Sequence, residues 1–525
     1  MKALLVNPKS PRSFWTLDQS LKLVGKKTVL PPLGLLTVAA LLPKEWELRL
    51  VDRSFQKLDA AVWDWADIIL LTGMIVHRED MLHVIGEAKV KGKPVVVGGP
   101  CASSLPDEFV EAGADYVVLG EAETSLEPFL AALADGRVSG VFPAQPRPDM
   151  TTSPLPRFDL LDMDAYIDMS IQTSRGCPFE CEFCDIINLY GRSPRYKSPE
   201  QVIAELECLN SLGWRGEVFI CDDNFIGSKK HARGILAKLT PWLEANGKPF
   251  AFMTQTSLNL GHDPELIDRI TEANFGNVFI GIESPDDEVL KLTHKYQNTK
   301  NPLEEAIHNI CANGLTVVGS FVLGFDGEIK GVDQRIIALV EKTNMPAPMI
   351  NLLQAAPNTA LWDRLISENR LLSERTNGQT TGGNRLNFVP SRPESEIIQE
   401  YVSLTETLYE PSAFMKRAYN YYLTMRPTRA ALGSKAGKAP NKMPPRAKVP
   451  TRFKLRQTMG FMAIVWRRGI VSPHRYQWWK QLLGIYRKNP SRMMGYLMAL
   501  GFGENLIHMR EMIRKRGRPE DRLAK

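Results

Sequence analysis

Short continuous apolar runs recur through residues 1–355, each separated from the next by a stretch with helical periodicity. In the first set the runs are Ala3–Val6, Glu47–Val51, Asp67–Thr72, Pro94–Val97 and Tyr116–Leu119, with helical stretches around 31–42, 78–91, 106–112 and 122–134. Runs of this kind are strands buried on both faces, so the order dictates an α/β fold with a parallel sheet covered by helices. Ligands of such sheets sit beyond the carboxyl ends of the strands. Those ends carry Asn7, Asp52, Thr72-Gly73, Gly98-Gly99-Pro100 and Gly120-Glu121. Gly98-Gly99 admits close backbone approach to a large flat or phosphorylated ligand; a tight strand-to-helix turn is the alternative. Neither GxGxxG nor GxxxxGK[ST] occurs, which disfavours nicotinamide and P-loop sites.

A second set of runs reads as strands at 170–174, 217–221, 250–255, 277–282, 317–323 and 349–353, with helices around 199–212, 229–245, 263–273, 302–313 and 331–343. Between the sets lie Pro143, Pro146, Pro148, Pro154 and Pro156. Proline resists both helix and central strand, so residues 143–164 mark a linker between a first domain, 1–142, and a second, 165–375.

Three of the seven cysteines fall in Cys177-Pro178-Phe179-Glu180-Cys181-Glu182-Phe183-Cys184, directly after the strand at 170–174 and the turn Arg175-Gly176. Soft thiolates select an iron–sulfur cluster or zinc, and a closed zinc site takes four ligands. Three thiolates on one loop therefore suit a cluster with one iron left open, against a zinc knuckle lacking a ligand. The next cysteine, Cys208, lies within a helical pattern. With no export signal at Met1–Pro8, structural disulfides are not expected.

Cys177, Cys181, Phe183 and Cys184 match the CxxxCxφC signature, and residues 170–355 resemble the radical S-adenosylmethionine (SAM) enzymes. The resemblance implies a partial (β/α)6 barrel and a [4Fe–4S] cluster on Cys177, Cys181 and Cys184 whose open iron chelates SAM. It further implies reductive cleavage of SAM to a 5′-deoxyadenosyl radical, fed by an external flavodoxin- or ferredoxin-type electron donor. Phe183, Asp222, Asp223, Glu283, Ser284 and Gly324 look like its SAM-contacting positions.

The first domain, through Pro31-Pro32-Leu33-Gly34-Leu35, Gly98-Gly99-Pro100 and Ala114–Glu121, resembles the Rossmann-like cobalamin-binding domains that precede such cores. Thr72, Gly73, Gly98, Gly99, Pro100, Gly120 and Glu121 are its implied cobalamin contacts. The string DxHxxG is absent and the first strand ends in Asn7-Pro8-Lys9, so a histidine lower ligand to cobalt is not expected. His77 reads as a helix-start histidine, with a corrin contact the lesser alternative.

Cobalamin beside a SAM-cleaving cluster implies methylation of an unactivated carbon: one SAM would methylate the cobalamin and a second would supply the radical. Radical cyclisation, oxidation or C–C bond formation, and a non-enzymatic cobalamin or Fe–S sensor, stay open. No protein acid–base pair is required, so no catalytic side chain is named. The chain resembles the subgroup that includes hopanoid and bacteriochlorophyll methylases, implying a small hydrophobic lipid, isoprenoid or tetrapyrrole substrate.

Charge divides the chain. Residues 401–525 carry 26 Lys/Arg and 6 Asp/Glu, while residues 1–400 carry 39 and 53. The extension 376–525 reads as mainly helical and basic, with a flexible stretch at Gly378–Asn384 and a basic, proline-rich arm at 426–452. Phe461–Arg468 and Tyr476–Lys488 mix aromatics with Lys and Arg, as suits an anionic membrane surface. A solvated basic face on small helices is weighed ahead of that docking, and nucleic acid is less favoured than either. No run of 18 apolar residues occurs, so the expected location is the cytoplasm or the inner face of a membrane.

Overall fold

Lys2–Asn7 (β1), Glu47–Asp52 (β2), Ile68–Thr72 (β3), Val95–Gly98 (β4), Tyr116–Val118 (β5) and Gly140–Phe142 (β6) form one wholly parallel sheet, ordered β2-β1-β3-β4-β5-β6. The computed structural model describes residues 1–300, 302–372, 385–435 and 451–516. Alternate residues of the same strands enter two separate apolar cores: Leu4, Ile69, Leu71 and Val97 on one face, Ala3, Leu70 and Val96 on the other. That is why the strands read as unbroken apolar runs. β6 gave no such run, being three residues long and beginning with glycine. The strand order reverses at β1, between β2 and β3, and there the carboxyl ends open a crevice.

The proline-rich residues 143–164 are ordered as short 3-10 turns, including Met150–Thr152 and Phe158–Leu160, with Met150 and Phe158 buried. Met169–Ile171 (β7), Gly216–Ile220 (β10), Phe250–Gln255 (β11), Phe275–Glu283 (β12), Thr316–Leu323 (β13) and Ala347–Leu352 (β14) build the second parallel sheet, ordered β14-β13-β12-β11-β10-β7. β7 and β14 are unpaired edges, so this is a partial barrel. The expected strand at 170–174 is split: after β7, Ser174–Arg175 (β8) pairs antiparallel with Arg195–Tyr196 (β9). The N–H groups of Thr173 and Ser174 turn away to the Asp222 carboxylate, which ends the first ladder.

The two faces of the barrel sheet differ. Val218, Phe252, Val278, Ile280 and Val317 are buried against helices, whereas Phe219, Met253, Phe279, Val318 and Val322, at alternate positions, are only partly buried. Period-2 alternation puts this second set on the inner face, which the open barrel leaves accessible.

Beyond β14 the chain is helical, with main helices at Ala360–Ser367, Glu394–Leu408, Pro411–Thr424, Thr451–Ile464, Arg475–Lys488 and Met493–Arg516. Tyr421 Oη accepts from Val317 N–H at 2.9 Å and donates to Leu315 O at 3.0 Å, and Tyr409 Oη donates to Pro348 O at 2.9 Å. These bonds fasten the helices to β13 and β14. Residues 13–30 reach the same helices from the other end of the chain. The helix Asp18–Val24 packs on Thr451–Ile464 and Met493–Arg516, and Lys27–Val29 pairs with residues 165–168 beside β7. The stretch Gly378–Asn384, the boundary expected at 375/376 and most of the 426–452 arm lie outside the described residues.

Candidate active site

The cysteine loop is clamped before it begins. Asp222, fully buried after β10, accepts from the N–H and hydroxyl of both Thr173 and Ser174. Burial pushes its carboxyl up, and those four donors oppose the shift. Asp223 accepts from Gly176 N–H at 2.8 Å, and burial pushes its carboxyl to about 7. Gly176 has φ +95°, and a Cβ there would stand 2.8 Å from Gly191 O, so only glycine lets the loop close this tightly. Cys177 N–H donates to Gly191 O at 3.2 Å and completes the closure.

Cys177, Cys181 and Cys184 all carry free thiols. Burial raises the thiol pKa of Cys177 and Cys184, a shift that coordination to iron would reverse outright. Over the loop comes the turn 293–298. Gln297 Nε2 donates to Cys181 Sγ at 3.5 Å, and Thr293 O accepts from Glu182 N–H at 3.0 Å. Lys295 pairs with Glu283 at 2.8 Å and lies 5.7 Å from the Phe183 ring centroid. Burial opposes the Lys295 charge, but Glu283 and the neighbouring Cys181 thiol hold its pKa above the usual value. Glu283 itself sits at φ +67°, where β12 ends in a register shift. Such strain in a buried non-glycine residue marks a position fixed by its surroundings.

Beside the loop, Phe183, Phe325, Leu353, Leu361 and Phe388 line a cleft of about 420 Å³ with Glu182, Asp326 and Arg364 at its rim. Phe183 and Phe325, with ring centroids 5.3 Å apart, pack on each other as one aromatic wall of this cleft. Gly324, at φ +106°, donates its N–H to Glu328 and shapes the turn under this cleft, while Ser284 Oγ caps the next turn by accepting from Asp286 N–H. The structure thus brings Phe183, Asp223 and Glu283 to the cysteine loop, whereas Asp222 binds the amides and hydroxyls of Thr173 and Ser174, Ser284 accepts from Asp286 N–H, and Gly324 N–H donates to the Glu328 carboxylate.

The carboxyl ends of the first sheet face the same loop: Asn358 bridges Ser104 O, beyond β4, and Asn188 in the cysteine loop. Gly99 has φ +83°, and a Cβ there would fall 2.0 Å from Thr72 Oγ1, so only glycine lets β3 and β4 close this tightly at their carboxyl ends. Glu121 is different. It is buried and held by Arg175 at 2.7 Å and Arg195 at 2.6 Å, with Glu123 pairing Arg175 at 2.8 Å. It therefore ties the first domain to the base of the cysteine loop, a partnership that spacing alone did not reveal. His77 Nδ1 accepts from Met74 N–H at 3.0 Å, leaving Nε2 to donate to Ser10 Oγ at 2.7 Å. Both ring nitrogens are engaged within the first domain, in keeping with the absent DxHxxG string.

These residues fit the implied groups. Among the described residues no three His, Cys, Asp or Glu side chains converge on a single ion. Cys177 and Cys184 each lie close enough to Cys181 to feel its charge, so the three thiols are gathered on one loop, as a cluster with one thiolate per iron asks. Beyond β3 and β4, Thr72 and the Gly98-Gly99 backbone form a close-set edge without bulky side chains, and Phe183 with Phe325 gives an aromatic wall beside the cysteine loop.

Comparison with known proteins agrees. A radical SAM superfamily model matches residues 171–334, a B12 binding domain model 26–130, and a domain of unknown function (DUF4070) 359–518. The chain is 45% identical over 518 residues to an uncharacterized methyltransferase of Synechocystis sp., covering 98% of this chain and 93% of that one. It is 33% identical over 490 residues to the hopanoid C-2 methylase of Rhodopseudomonas palustris, covering 91% and 88%. The solved structure of OxsB, a cobalamin-dependent SAM radical enzyme, shares the fold, with TM-score 0.59 at 15% identity over 98% of this chain and 80% of that one. The radical SAM and B12 binding domains give this chain a [4Fe–4S] cluster, SAM and cobalamin as cofactors. The chain belongs to the family of cobalamin-dependent radical SAM methyltransferases.

Proposed function

We propose that the chain methylates a carbon of a largely apolar, polycyclic lipid of the hopanoid type at a membrane surface. The supporting observation is the inner face of the barrel, where Phe219, Met253, Phe279, Val318 and Val322 present apolar surface and Asn351 leaves Oδ1 without a partner. Such apolar positions can take up ring hydrocarbon, while Glu217, Gln255 and Asn277, at alternate positions on the same face, add polar groups beside them. The 33% identical relative is itself named a hopanoid C-2 methylase.

In this reading Cys177, Cys181 and Cys184 hold the cluster, Phe183, Asp223 and Glu283 border SAM, and Thr72, Gly73, Gly98, Gly99, Pro100 and Gly120 border the corrin. The bound groups supply radical and methyl chemistry; the protein orients three reactants and excludes water. Asp222 and Glu121 position the cysteine loop. Lys295 balances the Glu283 carboxylate beside the thiolates. The division 1–142, 143–164, 165–375 and 376–525 stands as the working domain scheme.

The membrane belongs to the same reading. Among the described residues no helix is long and apolar enough to cross a bilayer. Yet Met462, Trp466, Tyr476, Trp479 and Tyr486 are exposed on helices that also carry Arg467, Arg475, Lys480, Arg487 and Lys488. From Pro411 to Gly503 there are 19 basic residues and no acid. Amphipathic aromatics among cations suit the headgroup layer of an anionic bilayer.

The test supplies reconstituted holoprotein with reductant, methyl-labelled SAM and a pentacyclic triterpene in anionic liposomes, beside a chlorin substrate. Label in the triterpene supports the reading; label in the chlorin alone overturns it. For docking, the protein should sediment with anionic and not neutral vesicles and be released by salt; failure to sediment at low salt refutes it.

A further inference from the structure

Residues 13–30 run from the C-terminal helices to the start of β7, where Lys27–Val29 pairs with residues 165–168, and one side chain of that segment meets the inner face. Trp15 lies with its ring centroid 5.1 Å from that of Phe279, tilted by 55°. Phe279 belongs to the inner-facing set of β12, four residues before Glu283, which pairs with Lys295 over the cysteine loop. At about 3.3 Å per residue along a strand, the Trp15–Phe279 pair lies on the order of 13 Å below that ion pair, within the length of a fused-ring lipid.

Trp15 is held for contact rather than packed away. Its neighbour Phe14 is wholly buried against Tyr409, with ring centroids 5.9 Å apart, and Asn505 Nδ2 donates to Phe14 O. Ser13 and Thr16 cap the short turn reciprocally, and Leu17 follows at φ +47°. Against this rigid frame the indole remains 49% exposed. A large aromatic fixed by its neighbours, set against the inner-facing Phe279 and left half exposed presents a preformed face to a ligand.

The same segment leads to the exposed aromatic–cationic helices. Asp18–Val24 packs on Thr451–Ile464, where a Cβ on Gly460 would come 3.2 Å from Val24. Met459, Met462 and Trp466 expose the outer side of that helix and the π-helical turn after it. The lumen wall and the candidate bilayer surface are thus one connected structure.

We infer that Trp15 is a specificity-determining residue that packs on the ring system of an apolar substrate held against the inner face of the barrel. This inference rests on the apolar-substrate reading above. The experiment compares wild type, Trp15→Ala and Trp15→Phe holoprotein for methyl transfer from labelled SAM to a pentacyclic triterpene in liposomes, counting 5′-deoxyadenosine per methylated product. With ring stacking lost, KM should rise about tenfold in Trp15→Ala, with more 5′-deoxyadenosine per product, and Trp15→Phe should recover most of both. Cluster absorbance and substrate-free SAM cleavage should match wild type, which a general folding defect would not allow. Unchanged KM and coupling in Trp15→Ala beside an active wild type overturn the inference alone. A wild type that methylates no polycyclic lipid overturns the substrate reading and this inference with it.

Discussion

Replacing Arg175 by methionine removes the buried cation that ties the cobalamin-binding domain to the cysteine loop. Its guanidinium is 12% exposed and reaches Glu121 at 2.7 Å and Glu123 at 2.8 Å, two carboxylates that are themselves 5% and 3% exposed. Burial alone would push the Glu123 carboxyl up, but Arg175 outweighs it and holds the pKa below the usual range. In the variant Glu121 keeps Arg195, whereas Glu123 keeps only the Ser153 hydroxyl at 2.9 Å. Leaving one partner of a buried pair uncompensated costs about 3 kcal/mol or somewhat more. The loss falls on the turn 172–176, whose amides should exchange with solvent hydrogen on the order of 100-fold faster, since about 1.4 kcal/mol is tenfold. Methylated product per SAM cleaved should fall, because the two cofactor-bearing domains lose registration. Adding Glu123→Gln to Arg175→Met should recover most of the protection, because removing both charges leaves no orphan. Unchanged exchange in Arg175→Met, or no recovery in the double variant, would refute the reasoning.

Asp222→Ala strands four buried donors and should cost at least about 3 kcal/mol, read as loss of cluster retention on gel filtration; Asp222→Asn should lose less, since the amide oxygen still accepts. Gln297→Ala removes the donor to Cys181 Sγ. A hydrogen bond worth about 1 kcal/mol to the reduced cluster corresponds to about 40 mV, so the midpoint potential should fall by that order in an EPR-monitored titration. His231 is stacked on Tyr196 at 4.2 Å, and burial depresses its pKa from 6.5 to about 4. Between those values the unfolded chain binds a proton that the fold refuses, so stability should decline as pH falls from about 6.5 to about 4 and level off below. His231→Phe should flatten that slope in denaturant melts at fixed pH values.

Much of this was legible in the sequence, and the exceptions have physical causes. Both parallel sheets could be read because strands buried on two faces leave unbroken apolar runs such as Ile68–Thr72. The three cysteines declared their role because their spacing serves one loop. Glu121 and Asp222 lie at strand ends, but whether such a carboxylate meets a ligand or another part of the protein depends on residues far along the chain. Arg175 lies 54 residues from Glu121, and no local pattern connects them. β8 escaped notice because its predecessor's ladder ends on a side-chain carboxylate. Residues 13–30 were silent for a similar reason: Phe14 and Ser20 find their partners at Tyr409 and Gly501, nearly a whole chain away.

The most direct measurement of the central assignment is the product stoichiometry of reconstituted holoprotein given methyl-labelled SAM, reductant and polycyclic lipid. The expected result is one SAM-derived methyl group in the lipid for each 5′-deoxyadenosine and each S-adenosylhomocysteine formed, with all three products absent in Cys181→Ala. Lipid product without the label, or methylation that persists in Cys181→Ala, would contradict it.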